Sequence, residues 1–123
     1  MHLVDSSGWL EFFADGPLAA AYEEHLLDPA EILTPTLVVH EVYKWLKRER
    51  SEEEALVAVA QLDKTEVVPL TATIALTAAD LALEHRLATA DAVVYATGIL
   101  HQAPVVTSDS DFEGLPGVVF LGR

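Results

Sequence analysis

The feature that most constrains this chain is a repeated alternation. Short runs rich in β-branched and apolar residues are separated by longer stretches with helical spacing. That order builds parallel strands joined by helical crossovers, since parallel neighbours need a long connection between them. His2-Leu3-Val4 predicts a first strand, Ile32-Leu33 a second and Glu66-Val67-Val68-Pro69 a third. Val105-Val106-Thr107 and Val118-Val119-Phe120-Leu121 predict the fourth and fifth. Helices are expected over 7–13 and 18–27, with Gly16-Pro17 between them. Pro35 suits the first position of a third helix running to Arg50, with Val38, Val42, Trp45 and Leu46 on one side. Ser51-Glu52-Glu53-Glu54 has the form of a capping box. A helix over 72–86 is expected to turn Leu76, Ala79, Leu83 and Leu87 inward, and Thr89 to cap a last helix reaching Gln102. A turn over 112–116 joins the last two strands. The expected fold class is α/β: a three-layer α/β/α sandwich around a central, mostly parallel sheet, with residues 1–123 forming one domain.

Composition supports this. With 123 residues and 51% hydrophobic content, the chain can bury a full core without a disulfide or metal staple. Cysteine is absent, which excludes Cys-based zinc sites and fits a reducing compartment. Asp5 arrives too early for a signal peptide, and no apolar run approaches membrane-span length, so a cytoplasmic protein is expected. The balance of 7 Lys+Arg against 20 Asp+Glu gives a net charge of −13. That charge alone argues against a nucleic-acid binder, whose footprint is normally basic, and favours cations or basic partners.

Four of the acids stand where a fold prefers apolar residues. Asp5 follows Leu3-Val4, Glu41 lies within Val38-Val39-His40-Glu41-Val42, Asp91 within Ala90-Asp91-Ala92-Val93, and Asp109 follows Val105-Val106-Thr107-Ser108. A carboxylate drawn toward an interior is costly unless it is paired or binds a metal. Asp5 and Asp109 come just past strand ends, the edge where open parallel sheets bind ligands. Asp91 falls in the first turn of a helix, where the dipole favours an anion. Glu41 lies one step round from an apolar stripe. Each has an ordinary explanation. Asp5 and the serines after it are good helix caps, and Asp109 can form an Asx turn. Glu41 can pair with Lys44, and Asp91 can serve the helix dipole. All four together require four separate coincidences at one sheet edge.

The ordered set of Leu3-Val4-Asp5-Ser6-Ser7, the Glu41 helix, Ala90-Asp91-Ala92 and Val106-Thr107-Ser108-Asp109-Ser110-Asp111-Phe112 resembles the PIN-domain family. Within that family it is most similar to the short VapC-like toxins of toxin–antitoxin pairs, over essentially the whole chain. The resemblance implies an acidic quartet of Asp5, Glu41, Asp91 and Asp109, with Asp111 as a fifth acid and Ser7 and Thr107 as supporting hydroxyls. It further implies an endoribonuclease leaving a 5′-phosphate, a homodimer, and inhibition by a small antitoxin. Mg²⁺ or Mn²⁺ suits such an all-oxygen set. Asp5 and Asp109 are expected nearest the ion, with Glu41 and Asp91 acting through water or on a second metal.

Four of the seven basic residues, Lys44, Lys47, Arg48 and Arg50, lie on one predicted helix. Lys44 and Arg48 share the Glu41 side and are candidates to hold RNA phosphates. A solvated helix end is at least as good an account of them. The five histidines show no metal-binding spacing, and Trp9 and Trp45 read as packing residues. The segment 87–100 is apolar and poor in charge, and Ala92, Val93 and Ala96 look surplus to one buried face, which suggests an exposed interface patch. The same acids would also suit a PIN-like binding module without catalysis or, with a poorer match, a Mg-binding receiver-type signalling domain.

Overall fold

The computed structural model describes residues 1–122. Among the described residues there are five strands: β1 (His2–Val4), β2 (Ile32–Pro35), β3 (Glu66–Val68), β4 (Val105–Thr107) and β5 (Val118–Phe120). Six α-helices connect them: α1 (Ser6–Phe13), α2 (Ala19–Glu23), α3 (Thr36–Glu49), α4 (Glu52–Leu62), α5 (Ala72–His85) and α6 (Thr89–Leu100). Two 3-10 turns, Pro29–Glu31 and Ser110–Phe112, complete the path. The strands form one sheet in the order β3-β2-β1-β4-β5, with every neighbouring pair parallel. The expected α/β/α sandwich is therefore the fold, with a wholly parallel sheet.

The central strand is buried on both faces. Leu3 pairs with Leu33 on one side and Val105 on the other. Leu3, Val4, Ile32, Leu33, Val105 and Val106 are almost inaccessible to solvent. Such continuous apolar runs are what a parallel sheet covered by helices demands. α3 adds Val38, Val42 and Leu46 to this core, while Trp45 is only half-buried.

Local chemistry sets several helix starts. The side chain of Asp5 accepts from the Ser6 N–H to open α1, Ser51 Oγ accepts from the Glu54 N–H to open α4, and Thr71 Oγ1 accepts from the Ile74 N–H to open α5. Some boundaries differ from the sequence reading. The second helix ends at Glu23 rather than Leu27. Pro35 closes β2 and stands just before α3, and Ala88 rather than Thr89 takes the N-cap position of α6.

Two packing expectations are overturned. Leu76 is 71% and Leu83 83% exposed, and Ala79 faces solvent. The inward side of α5 is Ile74 and Ala78, packed on Ala92, Val93 and Ala96 of α6. Only Leu87, partly buried, keeps its expected place. Ala92, Val93 and Ala96 are therefore core residues, not a free patch. α6 is covered both by the sheet and by α5, so an almost entirely apolar surface is needed on it. The receiver-type reading also ends here. Its doubly wound sheet has the order 2-1-3-4-5, whereas β1 here lies between β2 and β4.

Candidate metal centre

The sheet order puts a switch point between β1 and β4. Successive strands leave β1 toward β2 and β3 on one side, and toward β4 and β5 on the other. A crevice at the carboxyl ends of the two strands is the consequence. Asp5 and Asp109 follow the strands that flank it.

Asp5 is 4% exposed. Its Oδ1 accepts from the Ser6 N–H at 2.7 Å, and its Oδ2 accepts from Thr107 Oγ1 at 2.9 Å and Ser7 Oγ at 3.1 Å. Thr107 Oγ1 in turn accepts from the Asp109 N–H at 3.0 Å. One hydroxyl thus ties the ends of β1 and β4 together. Burial pushes the Asp5 carboxyl upward. The bonds from Thr107, Ser6 and Ser7 work against that shift, and the charge of Asp109 adds to it.

Asp109 opens the Ser110–Phe112 turn by accepting from the Asp111 N–H at 2.9 Å. The Asx-turn account of this segment is therefore correct, and the same turn brings Asp111 round beside Asp109. Asp91 comes from the first turn of α6. Oxygens of Asp91, Asp109 and Asp111 all lie within 4.8 Å of one another, close enough to share one cation. Asp91 is pushed up to about 6, first by desolvation and then by the charges of Asp109, Asp5, Asp111 and Glu41. Glu41, half-buried on α3, is also raised, by desolvation and then by Asp5, with the Ser6 hydroxyl and His40 opposing. The quartet and Asp111 thus share one electrostatic neighbourhood. Among the described residues none of the five forms an ion pair. A cluster of repelling carboxylates without basic partners, offering only hard oxygen donors, fits a divalent cation such as Mg²⁺ or Mn²⁺.

Beside the acids lies an open cavity of about 380 Å³, with Glu41 in its wall. Lys44 and Arg48 line it together with Ser6, His40 and Trp45. The other two basic residues at this end of α3 do not. Lys47 pairs with Glu52 and Arg50 with Glu54 at the start of α4. The solvated-helix-end account thus holds for Lys47 and Arg50. Arg48 donates to its neighbour Glu49 on the surface, at 2.9 Å.

Two participants were not singled out from the sequence. Tyr22 is fully buried, and its hydroxyl donates to Ser108 Oγ at 2.8 Å, directly before Asp109. A Cβ on Gly8 would stand 2.3 Å from its ring, so α1 needs glycine there to admit it. A glycine inside a short helix does signal close approach, but not by which residue. Ser6 is the second: its hydroxyl leans on Asp5 at 3.5 Å, and it lines the same cavity as Glu41 of another helix.

Residues 2–118 match the PIN domain family. The fold is similar to a toxin–antitoxin complex from Klebsiella pneumoniae, at 26% identity over 97% of this chain and 96% of that one, with a TM-score of 0.82. It is similar to Mycobacterium tuberculosis VapC20, described as a sarcin-ricin loop cleaving toxin, at 20% identity over 98% of each chain and a TM-score of 0.83. It is similar also to VapBC2 from Rickettsia felis, seen bound to a DNA fragment from its promoter, at 15% identity, 98% and 97% coverage and a TM-score of 0.77. No curated protein sequence matches the chain. With the family match spanning nearly the whole length and the fold shared with VapC toxins, this chain belongs to the PIN domain family.

Proposed function

We propose that the protein is a divalent-metal-dependent endoribonuclease acting as the toxin of a toxin–antitoxin pair. The observation that carries this reading is the unpaired acid cluster at the switch-point crevice, with Asp91, Asp109 and Asp111 within 4.8 Å of one another and Asp5 and Glu41 electrostatically coupled to them. Asp91, Asp109 and Asp111, rather than the Asp5 and Asp109 pair expected from the sequence, would hold the cation, and Asp5, both of whose oxygens are engaged by Ser6, Ser7 and Thr107, would fix the crevice and contribute its charge. When bound, Mg²⁺ or Mn²⁺ supplies a Lewis acid that lowers the pKa of water and offsets charge on the scissile phosphate. Glu41, half-buried in the wall of the adjoining cavity, would accept a proton from the attacking water. Lys44 and Arg48 hold neighbouring RNA phosphates on the cavity side.

The family and the toxin–antitoxin likenesses support an antitoxin partner, and the resemblance supports a homodimer. The patch first assigned to that dimer is buried in the core. No helix among the described residues is long and apolar enough to cross a membrane, which is compatible with a cytoplasmic site of action. The intact acid cluster weighs against the non-catalytic module.

The deciding experiment is an RNA cleavage assay with Mg²⁺, Mn²⁺ or EDTA. Metal-dependent products bearing 5′-phosphates, lost in both Asp5→Asn and Asp109→Asn, are expected. Cleavage that persists in EDTA or in both variants would overturn the metal-dependent assignment to this acid cluster, and a parent chain that cuts no RNA with either ion would overturn the nuclease assignment. Growth arrest on expression, relieved by the product of a neighbouring short gene, would establish the toxin role; a chain harmless to its own host would refute it.

A further inference from the structure

We propose that the cavity beside Glu41 is a subsite for one unpaired nucleotide, with its base stacked on Trp45 and its phosphate held by Lys44 and Arg48. The proposal rests on the ribonuclease reading and adds to it the residue on which a base stacks. The cavity measures about 380 Å³, within the range of pockets that enclose small organic groups, roughly 300 Å³ and upward. Its walls divide by chemistry. Leu10, Leu37 and Trp45 offer an apolar face, and Lys44 and Arg48 offer cations.

Three features set Trp45 apart from a simple packing residue. It packs against the core yet is only half-buried. No aromatic ring stacks on it among the described residues, whereas Trp9, 4% exposed, lies flat against Phe13 at 5.8 Å. It also stands in the same wall as Glu41, so a base placed there belongs to a nucleotide next to the acid cluster. The cations beside it are available. Lys44 forms no ion pair among the described residues, and the guanidinium of Arg48 is tied only to its exposed neighbour Glu49.

The net charge gives the subsite its physical purpose. At −13, the chain cannot hold RNA by a broad basic surface. Stacking is indifferent to charge and is strong enough to supply what the electrostatics lack. A base must be unpaired and splayed out to reach such a face, so the site selects single-stranded loops or ends over duplex.

The test uses a labelled oligouridylate heptamer and a series in which one abasic position is moved along the strand. Binding is measured by fluorescence anisotropy with Mn²⁺ in the full-length Asp5→Asn chain, so that the strand is not cut. One abasic position is expected to weaken binding about tenfold while the others do little. Adding Trp45→Leu should weaken the intact strand by a similar factor and erase the position dependence, and adding Trp45→Phe should restore most of it. A flat abasic scan, with Lys44→Ala and Arg48→Ala still weakening the strand, would overturn the subsite and leave the nuclease reading standing. If no strand binds and the parent chain cuts no RNA, both fail. Should Trp45→Leu not fold, the abasic scan on the Asp5→Asn chain decides alone.

Discussion

Asp5 shows how one side chain can serve structure and chemistry together. Capping and metal binding compete as explanations in the sequence, but the structure makes Asp5 the cap of α1 and the tie to Thr107 within a repelling acid cluster. Asparagine keeps the oxygen that accepts from Ser6 and can donate to the Ser7 and Thr107 hydroxyls, while removing a buried charge. Urea denaturation in EDTA at pH 7 should therefore find Asp5→Asn at least as stable as the parent. Asp5→Ala, which loses the cap, should be about 1–2 kcal/mol less stable. Equal stabilities for the two variants would show that the cap contributes nothing.

Asp91 contributes a pH dependence of its own. Its folded pKa of about 6 lies above the ordinary 3.8, so the folded protein holds a proton that the unfolded chain releases. The stabilising contribution is complete below about 3.8 and is lost as pH rises through about 6. The group is partly open to solvent, so screening reduces the size of the effect but not its sign. In EDTA, Asp91→Asn should gain stability relative to the parent as pH rises from 4 to 7. The Mn²⁺-induced rise in Tm should shrink in the same variant. A stability difference that does not vary with pH would mean that Asp91 is not under this strain.

At the scale of elements, α3 divides its basic residues between two tasks. Lys47 and Arg50 join α3 to α4 by ion pairs, whereas Lys44 and Arg48 face the cavity. Replacing both Lys44 and Arg48 with Ala should lower the salt slope of single-strand binding by about 1.4, at about 0.7 per phosphate. Lys47→Ala should leave the slope unchanged. Equal slopes for the double variant and the parent would return Lys44 and Arg48 to the role of solvated helix-end cations.

Across the whole molecule, the seam where α6 meets α5 is buried core rather than a free patch. Val93 is 7% exposed and packs with Ile74 and Ala78. Val93→Asp should therefore unfold the protein instead of splitting a dimer, at a cost of about 3 kcal/mol or more for an unpaired buried charge. Leu83→Gln, on the exposed side of α5, should stay within about 0.5 kcal/mol of the parent. Denaturation curves decide, and a folded monomeric Val93→Asp would restore the patch as an interface.

The sequence by itself determined the strands, the helix order and the acids worth watching. Those depend on local chemistry: apolar runs between helical patterns, a capping box at Ser51, and carboxylates set against apolar neighbours. It also carried the family likeness, because the acids recur in order along the whole chain. Tertiary structure decided what depends on covering and convergence. The apolar pattern of α5 offers two faces, Leu76-Ala79-Leu83 and Ile74-Ala78, and only the position of α6 selects the second. The surplus of small apolar residues on α6 looks like a patch until a sheet and a helix are seen to cover it. Asp109 and Asp111 cannot be ranked by sequence, because both join Asp91 only once the turn after β4 has formed. Tyr22, 86 residues from Ser108, enters the site through a contact that no local pattern encodes.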